Sequence, residues 1–267
     1  MEKPFVTIEN VSKIFQTRNR SSIAALKDIN MQFGKGGFVS IVGPSGCGKS
    51  TIIRMIDDII KPTAGAITVD GFTYDNNVPI SKERVQKMGF IFQAPNLYPW
   101  FTVKQNVMLP LKIYGKHSQE YDEVADRLLD SVNMLGYADA YPAEISGGMS
   151  QRIGVIRGMV HEPEILMMDE PYGALDESTR EQLNMELLKI WKDTGMTIIF
   201  ITHNVEEAVL LSERVYVMES HPGRIVAEIN IEFDQPRTLG LLTEEKFGRY
   251  CMEIENLIGK IDLSKVK

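Results

Sequence analysis

The run Gly43-Pro44-Ser45-Gly46-Cys47-Gly48-Lys49-Ser50-Thr51 has residue types suited to one task, holding a chain of phosphates. From Gly43 to Ser50 it fits the pattern G-x-x-x-x-G-K-[ST]. Gly43, Gly46 and Gly48 leave the backbone bare, so successive N–H groups can curl around phosphate oxygens. Lys49 sets an ammonium beside the β- and γ-phosphates, and the Ser50 hydroxyl is a ligand for Mg²⁺. The anion then rests on the N-terminus of the following helix, where N–H groups and macrodipole both favour negative charge. The flanks suit this, with an apolar strand at Phe38-Val39-Ser40-Ile41-Val42 and a helix beginning Thr51-Ile52-Ile53-Arg54-Met55-Ile56. A nucleoside triphosphate is the expected ligand.

Ile165-Leu166-Met167-Met168-Asp169-Glu170 is an apolar strand ending in two carboxylates. At the C-terminal edge of a parallel sheet such a strand delivers both beside the phosphate loop. Asp169 then holds Mg²⁺ through water, and Glu170 polarises an attacking water. Taken alone, Asp-Glu after a strand is an ordinary solvated turn; the phosphate loop favours the catalytic reading. His203 closes a further strand, Ile198-Ile199-Phe200-Ile201-Thr202, from which it can contact the γ-phosphate, although a lone histidine in such a place is usually structural. Ser146-Gly147-Gly148, opening a helix, offers bare N–H groups and a hydroxyl, a second anion-binding device or simply a flexible turn capping that helix.

The elements that must position these groups alternate. Val6-Thr7-Ile8 and Ala25 to Phe33 read as strands, Gly34-Lys35-Gly36-Gly37 as the turn into the loop strand, and Gly65 to Gly71 as a strand with its turn. Residues 104 to 160 carry helical spacing, for example Val124, Leu128, Leu129 and Val132. Glu177 to Lys192 predicts a helix and Thr197 to Ile201 a buried strand. Alternating apolar strands and helices imply an α/β fold with a parallel sheet covered on both faces. The tail from Asp234 ends in a helix with Phe247, Cys251, Ile254, Ile258 and Ile261 on one face.

Bulk properties set outer limits. The 267 residues suffice for one large core or two small ones, and a formal net charge of -7 argues against a nucleic-acid surface and against attraction to anionic lipid. No apolar run approaches the ~20 residues that span a bilayer. Met1-Glu2-Lys3-Pro4 has no apolar segment of the secretory kind, and Cys47 and Cys251 make no disulfide framework. These features lead us to expect a soluble cytoplasmic protein, held at a membrane, if at all, by another protein.

Ile145-Ser146-Gly147-Gly148-Met149-Ser150-Gln151-Arg152, placed before the Asp169 strand, resembles the signature motif L-S-G-G-Q of ABC-type ATPases. Gln93 in Gly89-Phe90-Ile91-Phe92-Gln93 is similar to that family's Q-loop, Ala174-Leu175-Asp176 to its D-loop, and His203 to its switch histidine. The likeness covers residues 5 to about 232. It implies a P-loop ABC-ATPase fold: a mainly parallel core sheet, an N-terminal antiparallel β subdomain and an inserted helical subdomain. The domain would span 1–233, with the catalytic core at about 1–93 and 164–233, the helical subdomain at about 94–163, and a helical tail at 234–267. It also implies a head-to-tail dimer, of two copies or with a related ATPase, each ATP lying between Gly43 to Thr51 of one copy and Ser146 to Met149 of the other. Gln93 and Ser50 would complete the Mg²⁺ shell, and Phe15 would either stack on adenine or belong to the core.

The stretch from Val85 to Val103, together with Pro171 to Glu177 and His221-Pro222-Gly223-Arg224-Ile225, resembles ATPases of nitrate/sulfonate/taurine importers, a group that also includes carriers of pyrimidine precursors of thiamine. The resemblance implies membrane permease subunits, an extracellular solute-binding protein and a place on the inner face of the cell membrane. Leu97, Tyr98, Trp100 and Phe101 lie where family members receive a helix of the permease, although core of the helical lobe is the plainer reading. Departures are few: Ile145 for Leu, Met149-Ser150 after the two glycines, Arg157-Gly158-Met159 late in that helix, and an acidic pair, Asp57-Asp58, after the phosphate-loop helix. None removes a catalytic group. A soluble ABC ATPase acting on nucleic acid or ribosomes is the alternative, without the basic surface or tandem cassettes such proteins usually have. A small-molecule kinase is a third, for which Ser146-Gly147-Gly148 would have no use.

Overall fold

The computed structural model describes residues 3–16, 22–116, 119–173 and 175–263. Met1, Glu2, Ala174 and the last four residues, named above, lie outside this set, as does the side chain of Ile261. The chain opens with strands β1 (Val6–Gln16), β2 (Ser22–Phe33) and β3 (Phe38–Val42), then helix α1 (Lys49–Ile56) and strands β4 (Ala64–Val69) and β5 (Phe72–Tyr74). There follow α2 (Lys82–Val85), β6 (Met88–Ile91), α3 (Val103–Ile113), α4 (Gln119–Ser131), α5 (Gly147–Met159), β7 (Ile165–Asp169) and α6 (Glu177–Thr194). It closes with β8 (Thr197–Ile201), α7 (Val205–Leu211), β9 (Arg214–Glu219), β10 (Arg224–Asn230) and α8 (Glu245–Leu263). Two compact units result, Met1–Ser81 with Thr194–Lys267, and Lys82–Asp193 inserted between them in sequence.

In the first unit an antiparallel sheet runs β2-β1-β4-β5. Val6 pairs with Phe33 and Val69, and Ile8 with Met31 and Ile67, so the buried face of each strand meets buried partners. This is what alternation along a strand produces when one face is covered. Strand β3 instead lies parallel between β8 and β9, with Ile41 opposite both Ile201 and Tyr216. All five residues of β3 and of β8 are buried, the pattern of a parallel sheet covered on both faces. The one hydroxyl in β3, Ser40, is hydrogen-bonded to Ser212. The tail helix α8 packs Phe247 and Ile254 into a core with Val205, Ala208, Val209 and Val217, and Cys251 and Ile258 lie against it, the face expected from the spacing.

In the second unit β6 and β7 pair in parallel, Met88 with Ile165 and Ile91 with Met168. Helices α3, α4 and α5 share a core of Val107, Leu111, Leu129, Ile153 and Ile156. Thr102 caps α3 in a reciprocal box with Gln105 (3.3 Å and 3.0 Å). The α/β class, the parallel strands, the antiparallel N-terminal sheet and the inserted helices are all present.

Candidate nucleotide site

The phosphate loop follows β3 directly. Gly48 sits at φ +103°, in the left-handed region, and starts α1 without contributing a side-chain cap. A methyl group there would come within 2.5 Å of the Leu26 side chain. At Gly43 it would come within 2.6 Å of the Met218 carbonyl, and Gly46 also has positive φ, at +76°. Only glycine suits these positions. The loop is braced by Cys47 N–H donating to the Pro44 carbonyl (3.3 Å), and Thr51 and Ile52 donate to the Gly48 carbonyl (2.9 and 3.2 Å). Lys49 is buried, 5% exposed, with its ammonium donating to the carbonyls of Gly43 (2.8 Å) and Pro44 (3.2 Å). Ser45 and Gly46 are exposed, and Ser50 and Thr51 are half-buried in the first turn of α1. Bare backbone, a held ammonium and a helix N-terminus are the donor set a polyphosphate needs.

His203 belongs to the same unit. Strands β3 and β8 run parallel in register, so the loop after Val42 and the exposed His203 leave the sheet at one edge. Beside it, Thr202 donates to the Glu207 carboxylate (2.5 Å), and Asn204 caps α7 by accepting from Glu207 N–H (3.1 Å). Phe15, near the end of β1, is 40% exposed with the Lys13 ammonium 5.1 Å from its ring centroid. The core reading of Phe15 is therefore excluded.

The second unit carries the carboxylates. Asp169 ends β7 and is 6% exposed; Glu170 follows at φ +46°, half-buried. A non-glycine residue in that region is uncommon, and such backbone concentrates at working sites. Gln93 is exposed two residues beyond β6. Its carbonyl and that of Pro171 both receive the side-chain amide of Gln151, the first at 3.0 Å. Ser146 caps α5, accepting from Met149 N–H (3.3 Å), with Gly147 exposed and Gly148 half-buried in the first turn. The capping turn is thus real, and it leaves the N-terminus of α5 presenting glycine backbone. Asp176 accepts from Thr179 N–H (3.0 Å) and hydroxyl (2.7 Å) at the start of α6, bonds that hold its carboxyl below the usual range. Within this unit Gln93 and Asp169 each carry an oxygen donor of the kind Mg²⁺ takes, as Ser50 does in the first unit. The apolar cluster divides: Trp100 is 65% and Tyr98 42% exposed, Phe101 is half-buried, and Leu97 packs against the core of α3 to α5.

Residue spacing did not single out Gln151 or Arg157. The available signal was the spacing of polar and small residues, Gln151, Gly154, Arg157 and Gly158, along one side of the helix.

The ABC transporter family profile matches residues 26–173. The chain is 41% identical to the nitrate import ATP-binding protein NrtD of Synechocystis sp., covering 94% of both chains. It is 40% identical to the taurine import ATP-binding protein TauB of Pelagibacter ubique, over 89% of this chain and 87% of that one. To the aliphatic sulfonates import ATP-binding protein SsuB of Bacillus cereus it is also 40% identical, over 87% and 89%. The fold matches the ATP-binding cassette MJ0796, solved as a dimer in a post-hydrolysis state with ADP and Pi, at a TM-score of 0.74 and 31% identity over 86% of this chain and all of that one. The chain belongs to the ABC transporter family and is one of its ATP-binding ATPases.

Proposed function

We propose that this chain energises an importer, hydrolysing ATP to drive uptake of a small solute such as nitrate, taurine, a sulfonate or a vitamin precursor through a separate permease. The observation that carries this reading is near end-to-end similarity to several import ATP-binding proteins. Among the described residues no helix is long and apolar enough to cross a membrane, which suits a subunit held by a permease at the inner face of the membrane. A second copy, or a related ATPase, completes the dimer, and a solute-binding protein supplies the cargo.

In this reading Lys49 and the N–H groups of Gly43 to Thr51 hold the β- and γ-phosphates, and Ser146 to Gly148 of the opposing copy contact the γ-phosphate. Ser50, Gln93 and Asp169 would hold Mg²⁺, which would supply positive charge to neutralise the phosphates. Glu170 accepts a hydrogen bond from the attacking water and orients it. His203 donates to the γ-phosphate, Asp176 supports the dimer contact, and Phe15 stacks on adenine. Phosphoryl transfer asks for positioning and charge neutralisation more than covalent chemistry, and these groups supply both. Exposed Trp100 and Tyr98 are the anchors for the permease. The proposed division stands as 1–233 for the ATPase domain, with its helical part at about 94–163, and 234–267 for the tail.

Affinity purification of the chain from its own cells in mild detergent tests the reading. A multi-spanning membrane protein in stoichiometric yield is the expected result. Recovery with only soluble or nucleic-acid partners would sink it.

A further inference from the structure

Gln151 lies one turn into α5, is 6% exposed, and directs its amide at two main-chain carbonyls, those of Gln93 and Pro171. Carbonyl oxygens only accept, so the NH₂ end of the amide must face them, and its two N–H bonds match the two acceptors. One acceptor belongs to Gln93 itself. The other belongs to the residue after Glu170, whose own backbone stands at φ +46°. In the same turn Gly173 N–H donates to the Glu170 carbonyl at 3.3 Å and Leu175 N–H to the Tyr172 carbonyl at 3.1 Å.

The rest of the same helix side grips the segment after Gln93. Arg157 donates to the carbonyls of Pro95 (2.5 Å) and Asn96 (3.0 Å). A methyl group on Gly154 would stand 3.3 Å from Pro95, and one on Gly158 2.9 Å from Ile91. Small residues at 154 and 158 let the helix approach closely, and polar residues at 151 and 157 bind the backbone it approaches.

We infer that Gln151 is a positioning residue of the hydrolytic site: its amide ties α5, whose first turn carries Ser146 to Gly148, to the backbone of Gln93 and of the Glu170 turn. The inference rests on the roles proposed above for Gln93 and Glu170. A shift of α5 is then felt at the metal-binding glutamine and at the water-orienting carboxylate together, because one side chain bonds both segments. Arg157 keeps the stretch beyond Gln93 on the same helix.

The test compares the full chain with Gln151→Met, which keeps length and apolar stem but has no donor. Hydrogen–deuterium exchange is read in peptides covering 91–97 and 169–175, with 43–51 as reference, alongside steady-state Mg·ATP turnover. Exchange in both segments should rise at least fivefold while the reference stays within twofold. The kcat should fall at least tenfold with KM within twofold, since the interaction lost orients the reacting groups and does not bind ATP. Unchanged exchange in either segment overturns the inference, and so does raised exchange with kcat within twofold of the parent. Should Gln151→Met not fold, Gln151→Asn, whose shorter stem cannot reach both carbonyls at once, is read in the same assays: at least twofold faster exchange in both segments with at least a threefold lower kcat is expected, and parent-like exchange in either segment overturns the inference. Glu170→Gln is run in parallel. If it turns over like the parent, the role given to Glu170 fails, while the exchange data still judge the tie.

Discussion

The ammonium of Lys49 donates to the carbonyl of Gly43 at 2.8 Å, across the loop that the two residues bound. The lysine is therefore held within the phosphate loop and not extended into solvent, and its 5% exposure agrees. A phosphate oxygen arriving at the loop meets a charge already desolvated and oriented, which makes the contact stronger than one with a mobile surface lysine. A charge-assisted hydrogen bond contributes roughly 1.5–3 kcal/mol. Lys49→Ala should weaken ATP binding about 10- to 100-fold, read by equilibrium titration with a fluorescent nucleotide.

Gly48 should be as intolerant for a different reason. Its φ of +103° is strained for any side chain, and a Cβ would press on Leu26 at 2.5 Å and 3.2 Å. Overpacking and backbone strain together cost about 2–4 kcal/mol. Gly48→Ala is expected to lower the urea midpoint by a corresponding amount even without nucleotide, whereas Lys49→Ala acts chiefly on binding. Unfolding curves of the two variants separate these causes.

The acidic pair after α1, conspicuous in the sequence, acquires a physical setting. Asp57 closes the helix, where the macrodipole is negative, and burial first and the neighbouring Asp58 second push its carboxyl up to about 7. Asp58 is bound by the Lys61 ammonium (2.6 Å) and by Ile80 N–H (3.2 Å), and Tyr74, whose hydroxyl donates to the Ile56 carbonyl, is pushed upward by burial and by both carboxylates. Asp57 therefore stays protonated in the folded chain at pH values where the unfolded chain releases that proton. Its contribution to stability is complete below about pH 4 and is lost as pH rises towards about 7. His161 acts in the opposite sense. Burial lowers its imidazole, so its contribution is present above pH 6.5 and falls away in acid. The stability difference between Asp57→Asn and the parent isolates the first effect. It should be near zero at pH 4, grow in favour of the variant up to pH 7, and level off above; a flat difference in thermal melts across that range excludes this account.

The chemistry was more legible in the chain than its support. Gly43 to Ser50 carry their function in residue type, because bare backbone and a lysine at fixed spacing have few other uses. The apolar runs of β3, β7 and β8 announce parallel strands for the same reason, since every residue is buried. Phe15 was undecided because an aromatic near a strand end fits core or ligand equally, and its 40% exposure removes the core reading alone. The work of Gln151 was hidden because a glutamine in a helix has ordinary helix propensity, and its partners are main-chain carbonyls distant in sequence. Side chain-to-backbone bonds of this kind have no sequence partner to search for. Arg237, in the tail beyond the matched motifs, was hidden in the same way.

Arg237 is 3% exposed, and its guanidinium donates to the carbonyls of Val209 (3.2 Å), Leu210 (3.0 Å), Ser212 (2.7 Å) and Ile231 (3.3 Å). The first two are at the C-terminus of α7, whose last carbonyls have no partner within the helix and whose dipole favours a cation. The arginine thus caps a helix from a distant stretch of chain, just ahead of α8, whose Phe247 packs into the core with α7. Burial lowers its pKa, a cost of desolvation that the surrounding carbonyls offset. Arg237→Met removes the donors and leaves buried carbonyls exposed to no replacement, at about 3 kcal/mol or more. Arg237→Lys retains the charge but lacks the planar fork that spans several acceptors, so it should recover only part of the loss. Thermal melts are expected to rank the parent above Arg237→Lys and that above Arg237→Met. Equal melting of the lysine and methionine variants would instead mean that the positive charge contributes nothing and that the planar fork alone carries the cap.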